Sequence, residues 1–139
     1  MANDIRITVT DRAERKCASS GSAWEPKMGY SRAVRSGNLI AVTGTVGINA
    51  DGSYSPSLAD QTRRSLAIIR AAIEALGGKI EQVLRTRMYV TDVSKWEEVA
   101  TVHGEVFGEI RPATTIVEVA RLIDADAQIE IEAEVVVGQ

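Results

Sequence analysis

The sequence predicts an α+β domain in which two helices pack on one face of a mixed sheet. Short segments rich in β-branched residues are interleaved with two segments whose apolar residues recur at helical spacing. A tight turn at Gly37-Asn38 joins two of the strand segments, and a hairpin of this kind makes an antiparallel pair. The predicted order is ββαβαββ, with an optional extra strand before it.

An N-terminal extension, residues 1–29, precedes the first hairpin. The alternating piece "IRITVT" indicates one early strand, and the small, polar run "CASSGSAWEPKMG" indicates a loop after it. Because this loop ends just before Tyr30, our hypothesis is that it forms a lid over a ligand cleft, with Trp24 and Glu25 reaching in. The stretch "TVGINADGSYSPS" after the hairpin is rich in turn residues and is predicted to be a loop.

The first long helix is expected to begin at Ser57, whose hydroxyl can accept a hydrogen bond from a free backbone N–H. Asp60 then lies near the positive end of the helix dipole. Gly77-Gly78 ends the helix. Its apolar stripe consists of Leu58, Leu66, Ile69, Ile73 and Leu76.

The second half of the chain predicts a strand, a helix and two more strands. The helix should begin at Ser94 and end at Gly108, and the last strands are "TTIVEVA" and "QIEIEAEVVV". In the strand from Val83 to Val90, one face is expected to carry Leu84, Thr86, Met88 and Val90, and the other Val83, Arg85, Arg87 and Tyr89. The buried stripe of the helix is expected to be Trp96, Val99, Val102 and Val106.

The composition of the chain limits the kinds of function that it can have. The 139 residues contain no linker, so one domain over residues 1–139 is expected. The net charge of −3 does not favour a nucleic acid or an anionic membrane as a partner. The apolar runs are too short for a membrane span, and the N-terminus lacks a signal-peptide core. A single cysteine fits a cytoplasmic protein, which is what we expect. The lone Cys17 cannot form an internal disulfide, and the single His103 excludes a multi-histidine metal site.

Apolar strand residues favour a homo-oligomer. Two helices cover only one face of such a sheet, so the other face meets water or a partner. Each large apolar side chain costs roughly 1.5–3 kcal/mol if it stays exposed. More branched residues are present than one helix layer needs: Val34, Leu39, Ile40, Val42, Ile129, Ile131, Val135 and Val137.

Several polar residues are candidates for a site, each with a plainer structural reading. Alternating acids on the last strand form either a solvated edge or a cleft in which one buried carboxyl holds a proton. Arg85 and Arg87 form either an ion-paired face or a carboxylate-binding fork. His103 is either a half-buried structural histidine or a catalytic one, although no paired nucleophile accompanies it. The acids are Glu130, Glu132 and Glu134.

Two further candidates lie near the first hairpin. "TGTVG", Thr43 to Gly47, is either an ordinary turn or a place where backbone N–H groups approach a ligand. It lacks the ending of a P-loop, and no helix follows it directly as a dinucleotide site would need. Tyr30 is either a packing residue with one wet hydroxyl or part of a cleft.

Four segments together resemble the Rid family, also called YjgF. They are "SGNLIAVTGTVG", "RMYVTDVSKWEEV", "RPATTIVEVARL" and "IEIEAEVVV", and the resemblance covers Tyr30 to Val137 in order. It implies a chorismate-mutase-like α+β sandwich and a homotrimer with clefts between subunits. Archetypal members hydrolyse enamines and imines to 2-oxo acids and ammonia, with no metal or cofactor.

The resemblance also assigns site residues, with one departure from the family pattern. The family strand Pro-Ala-Arg-Ser, whose arginine grips the substrate carboxylate, corresponds here to Pro112 to Thr115, so that Thr114 stands at the arginine position. Arg111 is a hypothetical replacement for the missing cation. Glu130 matches the glutamate that positions water. The remaining cleft positions are Tyr30, Thr43, Gly44, Thr45, Ser94 (for an asparagine) and Ile116 (for a cysteine).

Three functions therefore follow as hypotheses. The chain is a trimer that binds a small polar metabolite and hydrolyses an imine, an enamine or a related amide through Glu130. Alternatively, it is a metabolite-binding or regulatory trimer without turnover. The ribonuclease or translation-inhibitor activity attached to some members is disfavoured, because no basic, aromatic-lined groove is evident.

Overall fold

A computed structural model describes residues 4–138 as a seven-stranded sheet with two main helices. The strands are β1 (Thr8–Arg12), β2 (Arg15–Ser19), β3 (Ala33–Ser36), β4 (Leu39–Val46), β5 (Val83–Val90), β6 (Ala113–Glu118) and β7 (Ile129–Val136). The helices are α1 (Trp24–Met28), α2 (Leu58–Ala75) and α3 (Trp96–Phe107). The spatial order is β1-β2-β3-β4-β7-β5-β6, and only β5 and β6, joined through α3, run parallel. The α+β class and the mixed sheet are confirmed.

The N-terminal extension differs from the prediction of one strand and a loop. It forms the hairpin β1–β2 and then the short helix α1. Small residues such as Cys17 and Ala18 join a strand because they pair with Val34 and Ala33 of β3. This long-range pairing outweighs the low strand propensity of the segment. The sheet therefore has two strands before the predicted ββαβαββ order rather than one.

Helix α2 begins and ends where the sequence predicts. The Ser57 side chain accepts a hydrogen bond from the Asp60 backbone N–H at 3.2 Å, which caps the first turn. At the other end, Gly77 takes a left-handed φ of 84°. All five residues of the predicted apolar stripe are buried, at 3% exposure or less. Hydrophobic burial against the sheet thus holds the helix in place.

A bulge in β5 reverses the predicted facing of two residues. Val83 pairs with Val135, and Arg85 pairs with the next residue of β7, Glu134, so β5 carries one extra residue at Leu84. As a result, Val83 faces the core and Leu84 is 53% exposed. The prediction that Leu84 shares a face with Thr86, Met88 and Val90 was therefore wrong, because those three residues are buried.

Helix α3 begins two residues later than predicted. A short 3₁₀ turn, Val93–Lys95, precedes it, and Asp92 rather than Ser94 caps this turn by accepting from the Ser94 backbone N–H. Trp96 consequently lies on the exposed side of the first helical turn, with 52% of its surface accessible. Its assignment to the buried stripe was wrong. Val99 and Val102 are buried, and Phe107 completes the apolar face.

The helix-covered face of the sheet accounts for most of the surplus apolar residues. Five of the eight belong to the chain's own core: Ile40, Val42, Ile129, Ile131 and Val135. On the opposite face of β5 and β7, ion pairs and hydrogen bonds predominate, including Arg87 to Glu134 at 2.7 Å and Tyr89 to Glu132. The number of apolar strand residues therefore gives no support for an oligomer. Within residues 4–138, no helix is long and apolar enough to cross a membrane.

Candidate functional site

A cavity of about 80 Å³ opens beside the first residues of β7. One water needs roughly 10–15 Å³ of such space, so the cavity has room for several waters or a small metabolite. Its polar wall includes Tyr30, Arg32, Gly44 and Glu130. Its apolar lining includes Trp24, Tyr54 and Ile123.

The Glu130 carboxylate lies against the backbone of β4. Between Val42 and Thr45, β4 carries one residue more than its partner β7, and this bulge contains Gly44. A Cβ at position 44 would stand 2.5 Å from Glu130 Oε2. The sequence singled out Gly44 for close approach to a ligand, whereas the structure shows that its bare Cα makes room for the Glu130 side chain.

The environment of Glu130 suits it to hold and release a proton. Burial raises the pKa of its carboxyl group, the Arg32 charge opposes that rise, and the Glu132 charge adds to it. Among residues 4–138, no donor makes a hydrogen bond to this carboxylate. Both oxygens are therefore free for a water or a ligand.

Arg32 is a buried cation that sequence reasoning missed. Only 6% of its surface is exposed, and its Nη2 lies 3.7 Å from Glu25 Oε2. It donates to the Gly44 carbonyl at 2.9 Å and to the Tyr30 hydroxyl at 3.3 Å. No periodicity relates an arginine before a strand to a glutamate in a separate short helix, so the sequence contains no local signal for the pair.

Helix α1 lies beside this cavity, and Trp24 and Glu25, the two residues predicted to reach into a cleft, have different roles. Trp24 lines the cavity and keeps 41% of its surface exposed. Glu25 is buried and turns to Arg32, and it also accepts from the Ser20 hydroxyl at 2.8 Å. Thr114 does not line this cavity. The position of Trp24 therefore fits the hypothesis of a lid over the cavity. Glu25 does not, because it pairs with Arg32 instead of reaching a ligand.

Thr114 lies on the opposite face of the sheet from Glu130. It pairs with Thr86 across β5 and β6, and the two hydroxyl oxygens are 2.9 Å apart. The Thr86 hydroxyl is also 3.0 Å from His103 Nε2, on the helix-covered face. Glu130 pairs with Tyr89, which points to the other face. One copy of the chain therefore does not bring Thr114 and Glu130 into a common pocket.

His103 occupies a half-buried position between Thr86 and the Phe107 ring. Its ring centroid lies 4.6 Å from that of Phe107, and burial lowers the pKa of the imidazole. A neutral imidazole suits the hydrogen bond to the Thr86 hydroxyl, with either group able to donate according to the tautomer. This arrangement fits the structural interpretation of His103.

The predicted site residues separate into two groups. Tyr30, Gly44, Thr45 and Glu130 line the cavity together. Thr43 lies next to them, where its hydroxyl donates to the Ser31 carbonyl at 2.6 Å. The other group does not line the cavity and consists of Ser94, Arg111, Thr114 and Ile116.

Arg111 adopts an unusual backbone conformation at the corner before β6. Its φ is 55°, in the left-handed region that non-glycine residues seldom occupy. Its Nε donates to the Gly108 carbonyl at 3.2 Å, and the side chain is exposed. Within one copy of the chain, Arg111 therefore does not line the Glu130 cavity.

Comparison with known proteins assigns the chain to a family. The family model described as Endoribonuclease L-PSP matches residues 20–137. The chain belongs to this family, the YjgF/Rid family. The YjgF/Rid match begins at residue 20, directly after the last residue of β2, so β1 and β2 both precede it.

Solved and curated relatives agree with this assignment. The crystal structure of Rv2704 from Mycobacterium tuberculosis, a member of the YjgF/YER057c/UK114 family, has 46% sequence identity and a TM-score of 0.82. That alignment covers 88% of this chain and 99% of Rv2704. The 2-iminobutanoate/2-iminopropanoate deaminase of Escherichia coli is 35% identical over 108 residues, which cover 75% of this chain and 84% of the enzyme. Protein SCO2049 of Streptomyces coelicolor is 33% identical over 127 residues, or 91% of this chain and 94% of the relative.

Proposed function

We propose that this YjgF/Rid protein hydrolyses a carbon–nitrogen double bond in a small polar metabolite, with Glu130 transferring the protons. The observation that supports this most directly is the Glu130 carboxylate itself. It lines a cavity, it accepts no hydrogen bond from residues 4–138, and its pKa is raised by burial. The Escherichia coli relative is named as a deaminase of 2-imino acids, which belong to the same reaction class.

In the first step of the proposed reaction, water adds to the carbon of a protonated imine. Ionised Glu130 accepts a proton from this water as the new C–O bond forms, and the electrons of the C=N bond move to nitrogen. The product is a neutral carbinolamine beside a protonated Glu130. Tyr30 keeps a hydroxyl proton that it can donate to the ligand, because Arg32 donates to the hydroxyl oxygen.

In the second step, the carbinolamine breaks down. Glu130 gives its proton to the amine nitrogen, which makes nitrogen a leaving group. The C–N bond then breaks while the hydroxyl oxygen forms a carbonyl and returns its proton to Glu130. The released amine takes up that proton in turn, so the carboxylate is restored. A carboxyl pKa raised above its usual value suits a group that must both accept and donate a proton.

We further propose that the working assembly is a homotrimer whose clefts lie between subunits. The placement of Thr114 and Glu130 on opposite faces of one sheet supports this, because a cleft that uses both must combine two copies. The chain has a mass of 15.0 kDa, so light scattering should report a particle of about three times that mass. A monodisperse 15 kDa species at working concentration would contradict the assembly.

The hydrolysis itself is tested with an imine generated in the cuvette. An amino-acid oxidase acting on alanine supplies 2-iminopropanoate, an amine oxidase acting on a small primary amine supplies an imine without a carboxylate, and ammonia release is followed for each. We expect the wild-type protein to accelerate at least one of the two reactions, and Glu130→Gln to abolish the acceleration. Glu134→Gln is the matched control, since Glu134 lies on the same strand but pairs with Arg87. No acceleration of either reaction would refute the hydrolase proposal.

A second candidate function is metabolite binding without turnover. It is favoured by Thr114, which stands where the archetypal members carry their substrate-binding arginine. Saturable ligand binding with no release of ammonia from either imine would support this candidate over hydrolysis. The ribonuclease activity in the family's name is disfavoured, because the cavity walls carry more acidic than basic side chains.

A further inference from the structure

We propose that the ligand of the Glu130 cavity is a small amine or iminium cation that carries no carboxylate. The inference rests on the proposed function for the location of the site, but it concerns the ligand rather than the reaction. It differs from the 2-imino acids named for the Escherichia coli relative, which carry a carboxylate. Three features of the cavity support it.

The first feature is that the Arg32 guanidinium already has ion-pair and hydrogen-bond partners within the chain. It is the one cationic side chain among the residues that line the cavity. Glu25 lies 3.7 Å from its Nη2 and is equally buried, so the pair has no net charge. Its remaining N–H groups meet the Gly44 carbonyl and three hydroxyls, those of Ser20, Tyr30 and Thr45.

In this wall of the cavity, which one copy of the chain forms, a ligand carboxylate would therefore find no free guanidinium fork. It would have to displace Glu25 or the hydroxyl partners of Arg32, and the displaced groups would be left buried without partners. Leaving a buried polar group without its partner is strongly unfavourable, and more so if the group is charged. Arg32 thus supports the cavity wall and does not serve as an anion anchor.

The second feature is the surplus of negative charge. Glu130 and Asp124 both line the cavity, and neither makes an ion pair with a residue between positions 4 and 138. The Tyr54 ring lies beside them: burial raises its pKa to about 12, and the charges of Asp124, Asp126 and Glu130 contribute. These carboxylates attract an ammonium or iminium group and repel a second carboxylate.

The third feature is the aromatic wall. Trp24, Tyr30 and Tyr54 all line the cavity. The faces of such rings attract cations, most strongly for Trp. Two cationic side chains already lie near these rings: Arg32 is 5.4 Å from the Tyr30 centroid, and the exposed Lys27 is 5.7 Å from the Trp24 centroid. Lys27 does not line the cavity, so its charge does not offset the negative charge of the carboxylates in the cavity wall.

Together these features describe a pocket for a positively charged nitrogen beside an ionised carboxylate. A protonated imine fits both requirements of the proposed reaction, because its charge binds at Glu130 and its carbon then lies next to the water that Glu130 holds. Such an imine, lacking a carboxylate, is the product of amine oxidation. An amine-oxidising reaction is therefore the class that would supply the substrate.

Binding of butylamine and butanoate tests the proposal, because the two probes match in length and differ in charge. At pH 8 and fixed ionic strength, we expect NMR titration to show butylammonium binding at least tenfold more tightly than butanoate. Glu130→Gln and Asp124→Asn should each weaken butylammonium binding several-fold, and Glu134→Gln should not change it. Equal or tighter binding of butanoate, or butylammonium binding indifferent to both substitutions, would overturn the proposal.

The imine assay separates this proposal from the hydrolase proposal. Faster hydrolysis of 2-iminopropanoate than of the imine without a carboxylate would overturn the ligand class and leave the hydrolase function standing. Tight, Glu130-dependent binding of butylammonium without hydrolysis of either imine would support the ligand class and remove the hydrolase function. Loss of butanoate binding in an Arg32→Met protein whose NMR spectrum still shows the wild-type fold would identify Arg32 as an anion anchor and would also overturn the ligand class.

Discussion

The Glu130 carboxylate and the bare Cα of Gly44 are in direct contact across the sheet. A Cβ added at Gly44 would meet Glu130 Oε2 at 2.5 Å and Cδ at 2.9 Å. Gly44 is therefore required by a side chain of the neighbouring strand and not by a left-handed backbone conformation. The contact depends on the extra residue that β4 carries at this point.

Gly44→Ala should damage the site and spare the fold. The obstructing atoms belong to the end of a flexible side chain, so the new methyl group displaces the Glu130 carboxylate instead of the backbone. We expect butylammonium affinity, or imine turnover, to fall about tenfold or more. Calorimetry or the ammonia assay measures this loss, while urea unfolding checks that stability is nearly unchanged.

Gly104→Ala is the matched control for that substitution. Gly104 lies in α3, and a Cβ there meets nothing within 4 Å. Alanine in a helix interior is favoured over glycine by about 0.8–1 kcal/mol, so this variant should be more stable and bind normally. Wild-type binding by Gly44→Ala would contradict the role assigned to the contact.

The buried pair of Arg32 and Glu25 should be costly to break from either side. Only about 7% and 6% of the two side chains is exposed, so Arg32→Met or Glu25→Gln leaves a buried charge without its partner. We expect each single variant to lose about 3–5 kcal/mol in urea unfolding. The double variant should lose clearly less than the two losses combined, because both charges are gone.

An exposed ion pair provides the comparison. Arg63 and Asp60 lie 3.1 Å apart on the surface of α2, where solvent screens their attraction. Arg63→Ala should leave the unfolding midpoint almost unchanged. Additive losses for Arg32→Met and Glu25→Gln would show that the buried residues act independently.

Glu130→Gln should stabilise the folded protein at neutral and alkaline pH. Because burial raises the pKa of Glu130, the unfolded chain ionises this group at lower pH than the folded one. The protonated form of Glu130 contributes its full stability below the pKa that the group has in the unfolded chain. This contribution is lost as the pH rises through the pKa of the group in the folded protein. The melting temperature of Glu130→Gln should therefore exceed that of the wild type at pH 8, and the gap should narrow towards pH 4. A gap independent of pH would argue against a raised pKa.

The stability that His103 contributes should depend on pH in the opposite direction to that of Glu130, and in a different pH range. Burial lowers the pKa of its imidazole, so the unfolded chain takes up a proton before the folded one as pH falls. The corresponding stability is present above the unfolded pKa, about 6.5, and is lost as pH falls through the folded pKa. Melting curves between pH 7.5 and 5 should show a shallower decline for His103→Gln than for the wild type. Parallel declines would exclude this role for His103.

Local sequence signals predicted the elements that depend on local chemistry. Ser57 and Gly77 mark the ends of α2, because a capping hydroxyl and a glycine act within one turn of the chain. The Gly37 turn and the strand Val83–Val90 were predicted for similar reasons. The helical spacing of the apolar residues in α2 also correctly predicted which face of this helix lies in the core.

The features that sequence reasoning missed depend on contacts between distant segments. The bulges at Leu84 and Gly44 exist only relative to the register of β7. The pairing of Arg32 with Glu25 depends on how α1 packs against the residues that follow β2 and precede β3. Glu130 was singled out among three alternating acids by resemblance alone, and its location beside the Gly44 bulge gives that choice a physical reason.

The opposite facing of Thr114 and Glu130 also has a genetic consequence. In the proposed trimer, a Glu130→Gln chain and a chain obstructed by Thr114→Trp are each defective on a different side of the cleft. Co-expressed in one cell, these two alleles would form hybrid particles in which some clefts draw an intact residue from each parent. Complementation between the two alleles would then restore function that neither allele provides alone, whereas a single allele with both changes would restore none.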